Sequence, residues 1–341
     1  MMKVVDMHCD TISELLEIRR KGDAAGIQEN TLRSNRLHID LEKMKKADYL
    51  LQNFALFTHL GREPKPFEYT MKLVDTFYTE MEAHQDLIGI VKCWEDIEEN
   101  RKAGRMSAML TLEEGGVCQG EIAYLRDFYR LGARMMTLTW NFQNELAFPN
   151  KMEYVDKEGA ERPPKCVPDT ENGLTEKGIE FVREMERIGM IIDVSHLNDA
   201  GIWDVFKYTK KPFVASHSNA RALAGHPRNL TDEMIRALAE RGGVTGINFC
   251  ASFLQNEENG VEPDHSYCRD MVAHMKHMKQ IGGIGCIGLG TDFDGIGSKV
   301  ELKDCSGMQM LADAMASEGF TDGEIEAVFS GNVLRLYKEL L

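Results

Sequence analysis

The sequence predicts an α/β fold of the TIM-type (β/α)8 barrel class, and three observations predict it. Short β-branched or apolar runs recur along the 341 residues, each is followed by a stretch with helical spacing, and the runs end one after another in polar residues. Strands buried on both faces read as continuous apolar runs, which marks a parallel sheet covered by helices. Eight such units need about 250 residues or more, which this chain supplies. A doubly wound open sheet is the competitor. No G-x-G-x-x-G follows the first run, which speaks against its dinucleotide-binding form.

Strands are expected at 2–6, 50–57, 107–112, 134–139, 189–194, 212–216, 243–248 and 285–291, with the run IGIV at 88–91 as a ninth strand or part of a crossover. Helices fall between them. One follows the first strand over 11–20. Another carries Ile122, Leu125, Phe128 and Tyr129 near a helical period. The stretch 175–189 ends in Gly189, a suitable residue for leaving a helix. Thr231 opens a helix with Asp232 and Glu233 in its first turn, and Thr321 with Glu324 forms a capping box. The polar segment 145–172, with Pro149, Pro163, Pro164 and Pro168, reads as a long loop over one barrel face. There is no sharp linker or low-complexity tract, so residues 1–341 are expected to form a single barrel domain.

Lys plus Arg number 40 against 55 Asp plus Glu, a net charge of −15. That balance argues against a nucleic-acid partner, which needs a basic footprint, and against docking on an anionic membrane. A hydrophobic share of 43% and a charged share of 28% are ordinary for a globular chain. The eight cysteines include no C-x-x-C pair and read as reduced thiols. No stretch approaches the roughly 18 consecutive apolar residues of a membrane span. With no signal-peptide core at the start, the expected location is the cytoplasm.

Polar chemistry concentrates at the strand ends. Strand one gives Asp6, His8, Cys9 and Asp10, and strand three gives Glu113 and Glu114. Strand four ends in Thr139, Trp140 and Asn141, and strands five and six end in Ser195-His196 and Ser216-His217. Strand seven ends in Asn248, and strand eight gives Thr291, Asp292 and Asp294. In a barrel of this class the active site lies at these C-terminal ends. Histidine with carboxylate is the ligand set of zinc, manganese and cobalt ions. A carboxylate between two such ions can bridge them at about 3.5–4 Å, and the pair can lower the pKa of a shared water to make a hydrolytic nucleophile. Each residue alone has a plainer reading: a strand-end histidine is more often a hydrogen-bonded core residue, Asp294 can cap a helix, and Glu113 can face the barrel wall or solvent. Their conjunction on one rim carries the metal reading. His274 and His277 lie three apart on a methionine-rich helix, where packing explains them better. His38, His59, His84, His226 and His265 have no clustered acids nearby in sequence.

The segments VVDMHCDTI, LEEGGV, NGLTEKGIEFVREMERIGMIIDVSHLND, VASHSNARALAGHPRNLTDE, IGLGTDFDGI and GNVLRLY resemble the membrane (renal) dipeptidase family, peptidase family M19, from residue 4 to about 337. The resemblance implies a metallo-dependent hydrolase-like barrel holding two Zn2+, with Mn2+ or Co2+ as alternatives. It implies that His8 and Asp10 hold one ion, that Glu114 bridges both, and that His196 and His217 hold the other. Asp292 and Glu114 are then the catalytic residues, with Asp292 orienting the bridging water and shuttling its proton. Arg228 would bind the carboxylate of a dipeptide, a role that suits a guanidinium. Where the renal branch has a substrate-contacting histidine, this chain has Trp140, which cannot accept a proton, so Trp140 and Asn141 complete the substrate-binding candidates. The implied activity is zinc-dependent hydrolysis of small dipeptides, including those with a C-terminal D-residue, through a metal-bridging hydroxide. A homodimer fits the family. The alternatives are an amidohydrolase-type hydrolase or deaminase, which opens with His-x-His where this chain has His8-Cys9-Asp10, and a non-catalytic barrel that binds a metal or a peptide.

Overall fold

The structure is a computed structural model that describes residues 2–22, 30–153, 165–258 and 261–341. Its strands are β1 (Val4–Asp6), β2 (Tyr49–Phe57), β3 (Ile88–Val91), β4 (Met106–Glu113), β5 (Ala133–Thr137), β6 (Lys151–Glu153), β7 (Lys165–Val167), β8 (Ile191–Asp193), β9 (Val214–Ala215), β10 (Val244–Ile247), β11 (His265–Ser266), β12 (Ile287–Leu289) and β13 (Lys299–Val300). Eight of them pair in parallel in the order β1, β2, β4, β5, β8, β9, β10, β12, and β12 pairs back to β1, closing a barrel. These are the eight expected runs. The run at 88–91 is a strand: β3 pairs in parallel with Met106–Met109 of β4, on the edge that β5 takes over from Leu110 onward.

Helices cover the outside. Those at Thr11–Lys21, Ile122–Arg130, Glu176–Ile188 and Asp232–Glu240 lie where the sequence places them. Their ends follow local chemistry. The Thr175 side chain accepts from Gly178 N at one helix start, and Gly189 leaves the same helix at φ +85°. The Thr231 side chain accepts from Met234 N, and Thr321 with Glu324 makes the expected capping box. No helix among the described residues is long and apolar enough to cross a membrane.

The hydrophobic residues form two clusters. The larger lies between the strands and the surrounding helices and includes Leu110, Leu112, Phe128, Phe181 and Met275. The smaller gathers Val5, Leu51, Met109, Ile191, Val214 and Val244 from early strand positions with Val333, Leu336 and Tyr337 of the last helix. It fills the N-terminal end of the barrel and leaves polar side chains to the other end. The segment 145–172 departs from a plain loop. Its described parts contain the antiparallel pair β6–β7 and are pinned by bridges Ala147–Leu174 and Pro149–Leu197, while 154–164 lie outside the described residues. A second small pair, β11 with β13, ties together the loops that follow β10 and β12.

Candidate metal centre

Successive side chains on a strand point to opposite faces. On β4, Met109 joins the cluster inside the barrel while Leu110 and Leu112 pack toward the helices, so Glu113 at the strand end faces inward with Met109. Glu114 then turns the chain with φ +100°. Its carboxylate accepts from Gly116 N at 2.8 Å, Trp140 N at 2.9 Å and Asn144 Nδ2 at 2.5 Å. Burial pushes that carboxyl up to about 7. Glu114, expected as the bridging ligand, is held by these three donors and caps the turn Gly115–Cys118, and the candidate ligand groups among the described residues contain Glu113 in its stead. Glu113 lies between two of the expected histidines. One of its oxygens lies 3.2 Å from His8 Nε2 and the other 3.1 Å from His196 Nε2.

The other expected ligands converge. His8 Nε2 lies 3.6 Å from Asp10 Oδ2 and 3.8 Å from Asp292 Oδ1. His196 Nε2 and His217 Nε2 are 3.0 Å apart, and His8 stacks on His217 at 3.9 Å between ring centres. Three groups of ligand atoms, each within 4.8 Å, result: His8, Asp10 and Glu113; Glu113, His196 and His217; His8, His217 and Asp292. They overlap through His8, Glu113 and His217, so together they form one continuous cluster. His196 and Asp292 adopt positive φ, +70° and +60°, conformations that cost energy and concentrate at functional sites.

The donor set fits a cation. His8 Nε2 and Asp10 Oδ1 are buried without a hydrogen-bond partner. Three carboxylates, Asp10, Glu113 and Asp292, are buried together, and buried charges need a partner or a metal. Burial, with Glu113 next, pushes the Asp10 carboxyl well above its ordinary range, and burial lifts Asp292 to about 6. Burial lowers His196 to about 3 and takes His217 well below its usual value, favouring the neutral imidazole, the form that ligates metals. Burial also acts on His8, but Glu113 and Asp10 outweigh it and hold that imidazole well above its ordinary value.

Around the cluster stand the remaining candidates. Arg228 is buried, its Nε and Nη2 have no partner, and its guanidinium lies 5.4 Å from the Phe253 ring centre. Trp140 sits in an aromatic group with Phe57, His59 and Phe142 at 5.0–5.6 Å and lies 5.9 Å from His196. Asn141 Oδ1 is 3.1 Å from His196 Nδ1, so it orients that imidazole. Asp294 caps no helix. Its carboxylate takes Thr11 Oγ1 and His38 N, each at 2.6 Å, and so ties the 30–40 segment to the barrel mouth. Asn248, which directly follows β10 and whose role the sequence does not reveal, donates its Nδ2 to Asp292 Oδ2 at 2.8 Å. His274 is a core residue: its Nδ1 accepts from Ala220 N at 3.0 Å and its Nε2 faces Leu254 O at 3.1 Å.

The sequence profile of the membrane dipeptidase family (peptidase family M19) matches residues 1–340. A protein from the pqqA 5′ region of Klebsiella pneumoniae is 33% identical over 251 residues, covering 72% of this chain and 86% of that one. An uncharacterized dipeptidase of Schizosaccharomyces pombe is 30% identical over 359 residues, covering 99% of this chain and 80% of that one. Among solved structures, the dipeptidase AC, a metallopeptidase of family M19, superposes with a TM-score of 0.84 at 24% identity over 99% of this chain and 98% of its own. A Rhodobacter sphaeroides metallopeptidase liganded with a phosphinate mimic of L-Ala-D-Ala gives 0.84 at 22% identity over 100% and 99%. These two share the fold. Matched along almost its whole length, the chain belongs to the membrane dipeptidase family, peptidase family M19, and is a peptide hydrolase.

Proposed function

We propose that the chain is a metal-dependent dipeptidase that cleaves small dipeptides at the barrel mouth with two divalent cations, zinc first among them. The observation that carries this reading is Glu113, whose two oxygens reach His8 on one side and His196 on the other. One cation would be held by His8, Asp10 and Glu113, the other by Glu113, His196 and His217. When bound, such cations polarise the scissile carbonyl and bring a water's pKa toward neutrality.

The rest falls to the chain's own side chains. Arg228 presents two unpartnered donors, Nε and Nη2, which match the two oxygens of a substrate carboxylate. A fixed anchor of this kind limits the substrate to one residue beyond the scissile bond. Asp292 has one oxygen tied to Asn248 and the other facing His8. It takes the proton of the attacking water and delivers it to the leaving amine. Trp140 offers an aromatic wall to a substrate side chain and no proton acceptor. Acceptance of a C-terminal D-residue is supported by the family and by the dipeptide mimic bound to the Rhodobacter relative. Eight unpaired cysteines support a reducing compartment, the cytoplasm.

The test is a panel of L,L and L,D dipeptides given to chelator-treated protein and to protein reconstituted with zinc, manganese or cobalt, with nucleobases and lactones as competing substrates. Metal-restored dipeptide turnover is expected. Turnover that survives chelation, or hydrolysis confined to lactones or nucleobases, would overturn the reading.

A further inference from the structure

We infer that Asp193 is a positioning residue for the metal centre, acting through the Ser216 hydroxyl to fix which nitrogen of His217 carries the proton. The inference rests on His217 being a ligand.

Asp193 is the last residue of β8 and is 1% exposed. Four donors converge on it. Oδ1 takes the backbone N–H groups of Ser195 and Ser216, both at 2.9 Å, and Oδ2 takes the hydroxyls of Thr137 at 3.1 Å and Ser216 at 2.5 Å. A carboxylate in that position only accepts, so the Ser216 hydroxyl gives its single hydrogen to Asp193. The same Ser216 Oγ lies 2.7 Å from His217 Nδ1. With its hydrogen engaged, that oxygen accepts from the imidazole. Nδ1 therefore carries the proton, and Nε2 presents a lone pair. His196 is set in the same sense from the other side, since its Nδ1 faces the Asn141 carbonyl oxygen at 3.1 Å. Two Nε2 lone pairs then face each other across 3.0 Å. That arrangement repels itself in the bare protein and suits a shared cation. Outer partners of this kind commonly set the tautomer of a ligating histidine.

Asp6 provides an internal comparison. It accepts His8 N at 3.2 Å, Thr291 N at 3.0 Å and Thr291 Oγ1 at 2.8 Å, the same clip between neighbouring strand ends. Beyond that hydroxyl lies the His8 carbonyl oxygen at 3.4 Å, not an imidazole. Strand clipping and tautomer control are therefore separable in this barrel.

Asp193→Asn tests the relay without changing its shape. The amide oxygen keeps the two backbone donors, while Nδ2 now donates to Ser216 Oγ. The serine hydrogen must turn to His217 Nδ1, and the imidazole proton moves to Nε2, the ligating face. The readouts are the 15N signals of labelled histidines in metal-free protein and a zinc titration. Wild-type protein should show His217 protonated at Nδ1, and Asp193→Asn should show it protonated at Nε2 with zinc affinity lowered about 10–100-fold. Ser216→Ala, which cuts the chain without reversing it, should leave His217 with mixed tautomers and an affinity below wild type. Thr291→Val, which removes the hydroxyl of the Asp6 clip, should leave the His217 pattern in place. A wild-type 15N pattern in Asp193→Asn with zinc affinity within about twofold overturns the relay. His217 signals in the wild type that ignore added zinc would instead remove His217 from the ligands and overturn the underlying reading.

Discussion

Glu114 at φ +100° sends two adjacent glutamates to different tasks: Glu113 continues the inward face of β4, and Glu114 folds back to hold Gly116, Trp140 and Asn144. Glu113→Gln is therefore expected to lower the bound metal from two ions per chain to one or none. Glu114→Gln should keep both, with elemental analysis of the purified variants deciding between them. Asp292→Asn should retain metal, because all five assigned ligands remain, and lose about 10²–10⁴-fold in kcat as proton transfer fails. Metal-replete Asp292→Asn with wild-type turnover would take that role away. The convergence of His8, Asp10, His196, His217 and Asp292 is legible in the sequence because each ends an apolar run, where a barrel of this class builds its site. Which of Glu113 and Glu114 faces the cluster depends on the parity of β4. Ser107, Thr111 and Glu113 share odd positions, and that polar series was the available signal. The dihedral that diverts Glu114 has no signature of its own beyond the neighbouring Gly115-Gly116.

At the scale of elements, the end of β9 presses closely against β10 and β12. A Cβ at Gly246 or at Gly290 would overlap the Ser216 carbonyl oxygen, a backbone atom that cannot swing aside. Both positions use glycine for close approach, and that approach carries Ser216 and His217 into the mouth. Gly290→Ala should destabilise the fold by about 1–3 kcal/mol or more, read as a lower urea midpoint. An unchanged midpoint would show that the strands can part at no cost. The eight barrel strands could be read from sequence because burial on both faces leaves unbroken apolar runs. The pair β6–β7 could not. Lys151–Glu153 is exposed throughout and carries no alternating apolar face, so neither periodicity nor composition marks it.

For the whole molecule, the barrel divides its two ends by chemistry. The early strand positions bury Val5, Leu51, Ile191, Val214 and Val244 with Tyr337, and the late positions bury Asp6, Asp10, Glu113, Asp193 and Asp292, with Arg228 as a cation beside them. An acid-rich mouth of this kind should be held together more firmly once cations are bound. A ligand that binds only the folded state adds about 4 kcal/mol at a thousandfold excess over its Kd. Chelation should therefore lower the Tm, and added zinc should restore it. Insensitivity of Tm to both would argue against a cation between these side chains. The most direct measurement is anomalous diffraction at the zinc edge from crystals grown with zinc. Two peaks about 3.5–4 Å apart are expected, one among His8, Asp10 and Glu113 and one among Glu113, His196 and His217. Absence of anomalous density among those side chains, or ions bound through Glu114 in place of Glu113, would contradict that expectation.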